Sequence, residues 1–173
     1  MSPRSAVKSP KPRSDFFTLA PVVHQMSDLC EPLLSDPARK VFEPGCGTGN
    51  FLVEALSRRL QKLTTPHEAL TALSNLYGVD INPDYLAEAR VRLKSILLRH
   101  FSEQPLDYRF LPLVDLFLQS NLIQGDLIRN YEDLVFIDWQ LISDYNFRAV
   151  PARLGDMLKN SISAENDSEN NYA

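Results

Sequence analysis

Three glycines alternate with other residues between a short apolar run and an amphipathic segment. Gly45, Gly47 and Gly49 follow Val41-Phe42 and precede an apolar helical face that begins at Phe51. Glycine adopts positive φ angles and lets a ligand approach the main chain without a Cβ in the way. The first turn of a helix presents unpaired N–H groups. The spacing therefore predicts a strand, a ligand-binding turn and a helix N-terminus.

A carboxylate at the strand end, Glu43, indicates the charge of the ligand. The spacing Gly-x-Gly-x-Gly differs from the Gly-x-Gly-x-x-Gly that receives a pyrophosphate in dinucleotide-binding folds. A carboxylate there would repel a pyrophosphate and attract a cation. S-adenosylmethionine carries a sulfonium and an ammonium group and no phosphate, so the charges favour it as the ligand.

A second acidic residue, Asp80, ends the predicted strand 75–81. Ligands of open α/β sheets bind at the carboxyl ends of the strands. An acid at this position of a βαβ unit accepts hydrogen bonds from ribose hydroxyls. The separation from Gly49 exceeds the usual ~20 residues, and an inserted connection over 61–74 accounts for the excess. The alternative role for Asp80 is a helix cap.

The helix predicted after the glycine loop places its apolar residues on one face. Arg58 and Arg59 lie away from that face, near the helix C-terminus, where positive charge suits the helix dipole. Neither arginine therefore needs a functional role.

The segment EPGCGTGNFLVEAL, residues 43–56, resembles cofactor-binding motif I of S-adenosylmethionine-dependent DNA methyltransferases that methylate the adenine amine. The resemblance covers roughly residues 15–158. It implies an α/β, Rossmann-like methyltransferase fold: a mainly parallel sheet between helix layers, with fewer strands than the full family sheet. A strand order of third, second, first, fourth would place the fourth strand beside the glycine loop.

The resemblance also implies which residues bind the cofactor. Thr18 lies in a segment similar to motif X, which covers the methionine end, although Leu19 stands where that motif has proline. Asp126, after the predicted third strand, would bind the adenine amine, and Leu127 would cover the ring. A packing helix and a structural turn are the respective alternatives. The implied set is Thr18, Glu43, Gly45, Gly47, Gly49, Asn50, Phe51, Asp80, Ile81, Asp126 and Leu127.

Asp138 and Trp139 end a fourth predicted strand, 133–139. The family has its catalytic motif here: Asp or Asn, two prolines and an aromatic residue. A flipped-out base stacks on such a ring, and its amine donates to the side-chain oxygen. Positioning of that amine supplies most of the rate. This chain has no prolines between the two residues. Under the resemblance, Asp138 and Trp139 receive the base, and the alternative is a cap and a core ring.

Composition predicts one domain with two tails. The 173 residues carry a net charge of −4. Residues 1–14 predict a disordered basic tail and residues 159–173 a disordered polar tail, which leaves 15–158 as the domain. An acidic body does not predict a stand-alone clamp on duplex DNA. Cys30 and Cys46 give no disulfide framework and no zinc-ligand spacing, so we expect no metal and a cytoplasmic location. We expect Cys46 to be a small apolar filler in the glycine loop.

These features together predict an S-adenosylmethionine-dependent DNA methyltransferase that acts on the adenine amine, with a partner subunit for target recognition. One alternative is a catalytically silent S-adenosylmethionine-binding subunit that acts through protein partners. Another is a methyltransferase for RNA, protein or a small molecule. A nicotinamide-dependent dehydrogenase is disfavoured by the loop spacing and by Glu43.

Overall fold

A small parallel sheet and a separate hairpin contain the strands of the described residues. The computed structural model describes residues 17–156, and the predicted tails 1–14 and 159–173 lie outside them. The three parallel strands, in spatial order, are β1 (Val41–Pro44), β2 (Leu76–Asp80) and β3 (Leu122–Gln124). The antiparallel hairpin consists of β4 (Val135–Ser143) and β5 (Asn146–Arg153).

Among the described residues, helices precede β1 and occupy the connections from β1 to β4. They are α1 (Ala20–Asp28), α2 (Glu31–Leu34), α3 (Asn50–Leu60), α4 (Pro66–Ser74), α5 (Pro83–His100), α6 (Phe110–Asn121) and α7 (Leu127–Asn130). The predicted inserted connection thus contains α4, which begins with a capping box between Thr65 and Glu68. A bilayer-spanning helix is absent from the described residues, and even α5, the longest, is too polar for one.

Alternate residues of the parallel strands face two apolar clusters. Val41, Leu76 and Leu122 pack beneath α3, α4, α5 and α6 in the larger cluster. The intervening residues Tyr77 and Val79 face the opposite way. There they pack with hairpin and α7 residues, namely Leu127, Leu134, Phe136 and Leu154. The expected α/β class is confirmed, but the principal helices cover one face of the sheet and the hairpin covers much of the other.

Arg58 and Arg59, which the sequence places away from the apolar face of α3, are both buried. Arg59 is fully buried, because its guanidinium donates to three backbone carbonyl oxygens, those of Leu34, Arg39 and Ala72. Arg58 is also buried, and its guanidinium bonds to three carboxylates, those of Asp28, Glu31 and Glu54. Hydrogen bonding satisfies both charges, and α3 is thereby attached to the segments on either side of it.

The fourth strand does not pair with β1, which corrects the expected strand order. Leu134 packs on Gly125, just beyond the carboxyl end of β3. Phe136 packs on Phe42 near the middle of β1. Asp138 forms an ion pair with Lys40, just before β1 begins. Strand β4 therefore runs from the carboxyl edge of the sheet to its amino edge. Its ladder hydrogen bonds are made with β5 and not with β1.

Candidate functional site

A cleft of about 280 Å³ lies at the carboxyl ends of β1 and β2. Its walls are the glycine loop, the first turns of α3 and α5, and the segment that precedes α1. The predicted cofactor-binding residues that line it are Thr18, Glu43, Gly45, Gly47, Asn50, Phe51, Asp80 and Ile81. The structure thus brings together residues from three separate segments at the carboxyl edge of the sheet.

The glycine loop depends on the absence of side chains. Gly45, Gly47 and Gly49 have φ angles of 70°, 53° and 81°, as the sequence predicted. These are left-handed conformations that L residues rarely adopt. A Cβ on Gly49 would lie 3.0 Å from the Cβ of buried Ala89 on α5. Gly49 therefore permits both the turn into α3 and the close packing of α3 on α5.

Asp80 connects the glycine loop to α5. Its Oδ2 accepts a hydrogen bond of 2.8 Å from the backbone N–H of Gly47. Its Oδ1 accepts one of 2.8 Å from the backbone N–H of Asn82, the cap residue of α5. Each carboxylate oxygen accepts two bonds. The structural role of Asp80 therefore leaves acceptor capacity directed at the cleft.

The floor of the cleft is electronegative. Burial raises the pKa of Glu43 above its ordinary value. Burial first, and then the nearby charges of Asp80 and Glu43, raises the pKa of the Cys46 thiol to about 12. Cys46 is accordingly a neutral, buried side chain of the larger cluster, as expected for an apolar filler.

Arg92 of α5 is a contributor that the sequence did not reveal. Its Nη1 donates to the carbonyl oxygen of Thr48 at 2.6 Å and to Oδ1 of Asn50 at 2.7 Å. Nδ2 of Asn50 in turn donates to the carbonyl oxygen of Thr18 at 2.9 Å. The Asn50 amide therefore fixes the segment before α1. An arginine in mid-helix carries no sequence signal for this role.

Two aromatic residues of the cleft were also absent from the predicted set. The rings of Phe17 and Tyr85 meet edge to face, with centroids 5.1 Å apart. Phe17 also covers the glycine loop, because its Cε1 lies 3.2 Å from the position of a Cβ on Gly47. The pair gives the polar cleft an apolar wall. Phe17 adjoins predicted Thr18, and Tyr85 lies in the first turn after Asp80, so proximity to these motifs was the available signal.

Asp126 and Leu127 do not line the cleft. The Asp126 carboxylate caps α7 by accepting from the backbone N–H groups of Ile128 and Arg129. Leu127 packs against the smaller apolar cluster beneath the sheet. Their assignment to the cofactor's adenine stays a prediction.

Asp138 and Trp139 are not brought to the cleft. The strand continues beyond them to Ser143, so they lie in mid-strand and not at a strand end. The Asp138 carboxylate is 2.9 Å from Nζ of Lys40, at the amino edge of the sheet. Nε1 of Trp139 donates to Oγ of Ser120 at 3.0 Å, and its ring packs on α6. The pair therefore lies at the opposite edge of the sheet from Glu43 and Asp80.

Residues 17–156 contain no cluster of three or more His, Cys, Asp or Glu side chains suited to a metal ion. Comparisons of the chain with protein-family models, with curated proteins and with solved structures found no match.

Proposed function

We propose that this chain binds S-adenosylmethionine in the cleft at the carboxyl edge of the sheet, as a cofactor-binding domain of methyltransferase type. The observation that carries this proposal is the pair of carboxylates, Glu43 and Asp80, beside a glycine loop of left-handed backbone. Carboxylates attract the sulfonium and ammonium groups and accept bonds from ribose hydroxyls, and bare backbone admits the ligand closely.

The charge of the lining favours this ligand over a dinucleotide. Within residues 17–156, no Lys or Arg side chain lines the cleft. Arg92, which lies nearby, is directed at Thr48 and Asn50. A pyrophosphate placed here would face two carboxylates without a compensating cation. The Phe17–Tyr85 wall suits an uncharged part of the ligand.

The position of Asp138 and Trp139 favours a cofactor-binding subunit over a self-contained DNA methyltransferase. Methyl transfer requires the acceptor nitrogen to be held at the methyl carbon. The two residues expected to hold an adenine lie at the other edge of the sheet. Transfer to an adenine amine therefore needs base-holding groups other than these two residues.

Calorimetric titration tests the proposal directly. We expect binding heat with S-adenosylmethionine, weaker binding of its neutral thioether product, and no heat with NAD. Asp138→Asn serves as the matched control because it removes a carboxylate at the opposite edge. Tighter binding of NAD, or no heat with S-adenosylmethionine, would contradict the proposal. A labelled-methyl assay on mixed DNA should give no transfer by the chain alone.

A further inference from the structure

One edge of the parallel sheet is open. Val41 donates its backbone N–H to the carbonyl oxygen of Asn75, so Val41 and Glu43 face β2. The polar groups of successive strand residues point to opposite edges. The N–H and C=O of Phe42 and the C=O of Pro44 therefore point away from β2, and no described strand pairs with them.

The helix α1 lies above this open edge. On α3, Glu54 and Arg58 contact α1, whereas Ser57 and Gln61 line the groove shared with α5. The helices α1 and α5 therefore flank α3 on opposite sides. Since α5 packs over β2 and β3, α1 lies on the side of β1, beyond the last strand.

An apolar stripe runs along α1 and α2 and is uncovered in the described chain. Its residues recur at alternating spacings of three and four, as in a helix that packs on a partner. They are Leu19, Val22, Met26, Leu29 and Leu33, with exposed fractions of 71%, 41%, 50%, 85% and 55%. We call this set the α1 stripe.

The α1 stripe is turned toward the plane of the sheet. Val23 and Ser27 are the buried positions of α1, and they face α3. His24 and Asp28 lie to one side of them and reach Glu54 and Arg58, on the part of α3 that points away from the sheet. Helical geometry places Val22 and Met26, the stripe residues within α1, on the other side of Val23 and Ser27. This part of the stripe therefore faces the layer into which the sheet would extend.

We infer that a β-strand of a partner polypeptide pairs with the free edge of β1 and packs its apolar side chains against the α1 stripe. The backbone groups of Phe42, which pair with no described strand, select a strand, because they require a ladder of alternating donors and acceptors. The space fits this occupant. Strands lie ~4.8 Å apart and a helix is ~10 Å wide, so α1 covers about two added strands.

The geometry excludes a second copy of this chain at the edge. Pairing of two β1 edges about a two-fold axis would place the partner's helix layer over β1. The volume over β1 is already taken by α3, and α1 packs beside α3. Residues 1–16 and 157–173 also lack the sequence of an apolar strand, since prolines interrupt the first segment and polar residues dominate the second.

A strand added parallel to β1 would end beside Glu43 and the glycine loop. Its last residues would then form the wall of the cleft where a methyl acceptor has to be held. This role at the cleft rests on the proposed function, whereas the pairing rests only on the open edge and the stripe.

Hydrogen exchange of the Phe42 amide tests the pairing in the full chain. The probe is a synthetic peptide of about nine residues that alternates valine and threonine between terminal lysines. The control peptide has prolines at the positions that donate to β1, which removes the ladder bonds. We expect the probe to slow exchange of the Phe42 amide by about tenfold or more, and the proline peptide to have no effect.

Charged substitutions test the stripe. Val22→Glu and Met26→Glu alter exposed positions and should abolish the protection by the probe. Ile128→Glu, at a position 93% exposed on α7, should retain it. Four results would overturn the inference: equal protection by the proline peptide, protection unchanged in the stripe variants, slow exchange of Phe42 without peptide, or protection that rises with protein concentration alone.

Calorimetry on the same samples separates the two proposals. Peptide pairing without heat from S-adenosylmethionine would contradict the proposed function and leave the strand addition intact. Heat from S-adenosylmethionine without peptide pairing would contradict the strand addition alone.

Discussion

The backbone N–H of Gly47 donates to Oδ2 of Asp80 at 2.8 Å, across 33 residues of sequence. A second bond, from the N–H of Cys46 to the carbonyl oxygen of Val79 at 2.8 Å, runs parallel to it. The conformation of the glycine loop is therefore stabilised by hydrogen bonds to the end of β2, in addition to the backbone freedom of its own glycines. A loop held in this way loses little conformational freedom when a ligand arrives.

Substitution of Asp80 should affect both stability and ligand binding. Asp80→Ala leaves the N–H groups of Gly47 and Asn82 without their acceptor, so we expect a loss of about 1–3 kcal/mol in the free energy of unfolding. Binding of S-adenosylmethionine should weaken by a further ~1–3 kcal/mol, the cost of unpaired ribose hydroxyls. Urea unfolding and calorimetry measure the two effects. Asp84→Ala, an exposed change in the same helix turn, is the control, and unchanged affinity in Asp80→Ala would remove Asp80 from the site.

Glu43 should destabilise the ligand-free chain at neutral pH. Burial raises its pKa above the ordinary value of 4.5. Below that value Glu43 is protonated in both the folded and the unfolded chain, and the free energy of unfolding is highest with respect to this group. That stability is lost as pH rises through the raised pKa, because the buried carboxyl then carries a charge. We expect Glu43→Gln to be more stable than the wild type at pH 7, and the difference to disappear in acid. Urea unfolding at several pH values, with exposed Glu88→Gln as the control, measures this.

The same substitution should have the opposite effect on binding. Glu43→Gln removes the charge that attracts the sulfonium, so the affinity for S-adenosylmethionine should fall while stability rises. In the wild type, affinity should decline as pH falls through the raised pKa of Glu43, and Glu43→Gln should lack that decline. A variant that bound the cofactor as tightly as the wild type would exclude Glu43 from the binding of the cation.

Two glycines of the loop should tolerate alanine unequally. Gly45 and Gly49 both have positive φ, so alanine costs about 1–2 kcal/mol at either position. A Cβ on Gly45 meets nothing within 4 Å, whereas one on Gly49 lies 3.0 Å from the Cβ of Ala89. Overpacking should add about 1–3 kcal/mol at Gly49. Urea unfolding compares the two variants. Equal losses in the free energy of unfolding would show that α5 shifts at Ala89 to make room for the added methyl group.

Sequence alone was sufficient for the glycines and carboxylates of the cleft, because their determinants are local. Positive φ at the glycines and carboxylates at strand ends follow from residue type and from the rule that parallel strands end at one edge. The placement of Glu43, Gly47 and Asp80 together needed no knowledge of distant packing.

Long-range partners could not be read in the same way. The burial of Arg59 depends on three carbonyl oxygens from separate segments, and no periodicity reports them. The strand that contains Asp138 was expected beside β1, but pairing with β5 gives it an eight-residue partner of its own. An apolar run such as the one before Asp138 is equally suited to pair with β1 or with β5. Tertiary packing decides between the two partners.

Trp139, the only tryptophan of the chain, should report on folding and not on cofactor binding. Trp139→Phe removes the bond from its Nε1 to Oγ of Ser120, so we expect a loss of about 1 kcal/mol in the free energy of unfolding. Trp139→Ala should lose about 3–5 kcal/mol, because the ring packs on Phe117 of the core. Neither Trp139→Phe nor Asp138→Asn should change the affinity for S-adenosylmethionine, since both lie at the amino edge of the sheet.

Calorimetry on these variants, beside Asp80→Asn as a positive control, decides where the tryptophan acts. Asp80→Asn should weaken binding while Trp139→Phe leaves it unchanged in a folded chain. A tenfold loss of affinity in Trp139→Phe, about 1.4 kcal/mol, with unfolding still cooperative, would mean that the indole reaches the cofactor. The hairpin would then have to leave its place under the sheet, since the contacts of Phe136 with Phe42 and Tyr77 hold β4 away from the cleft.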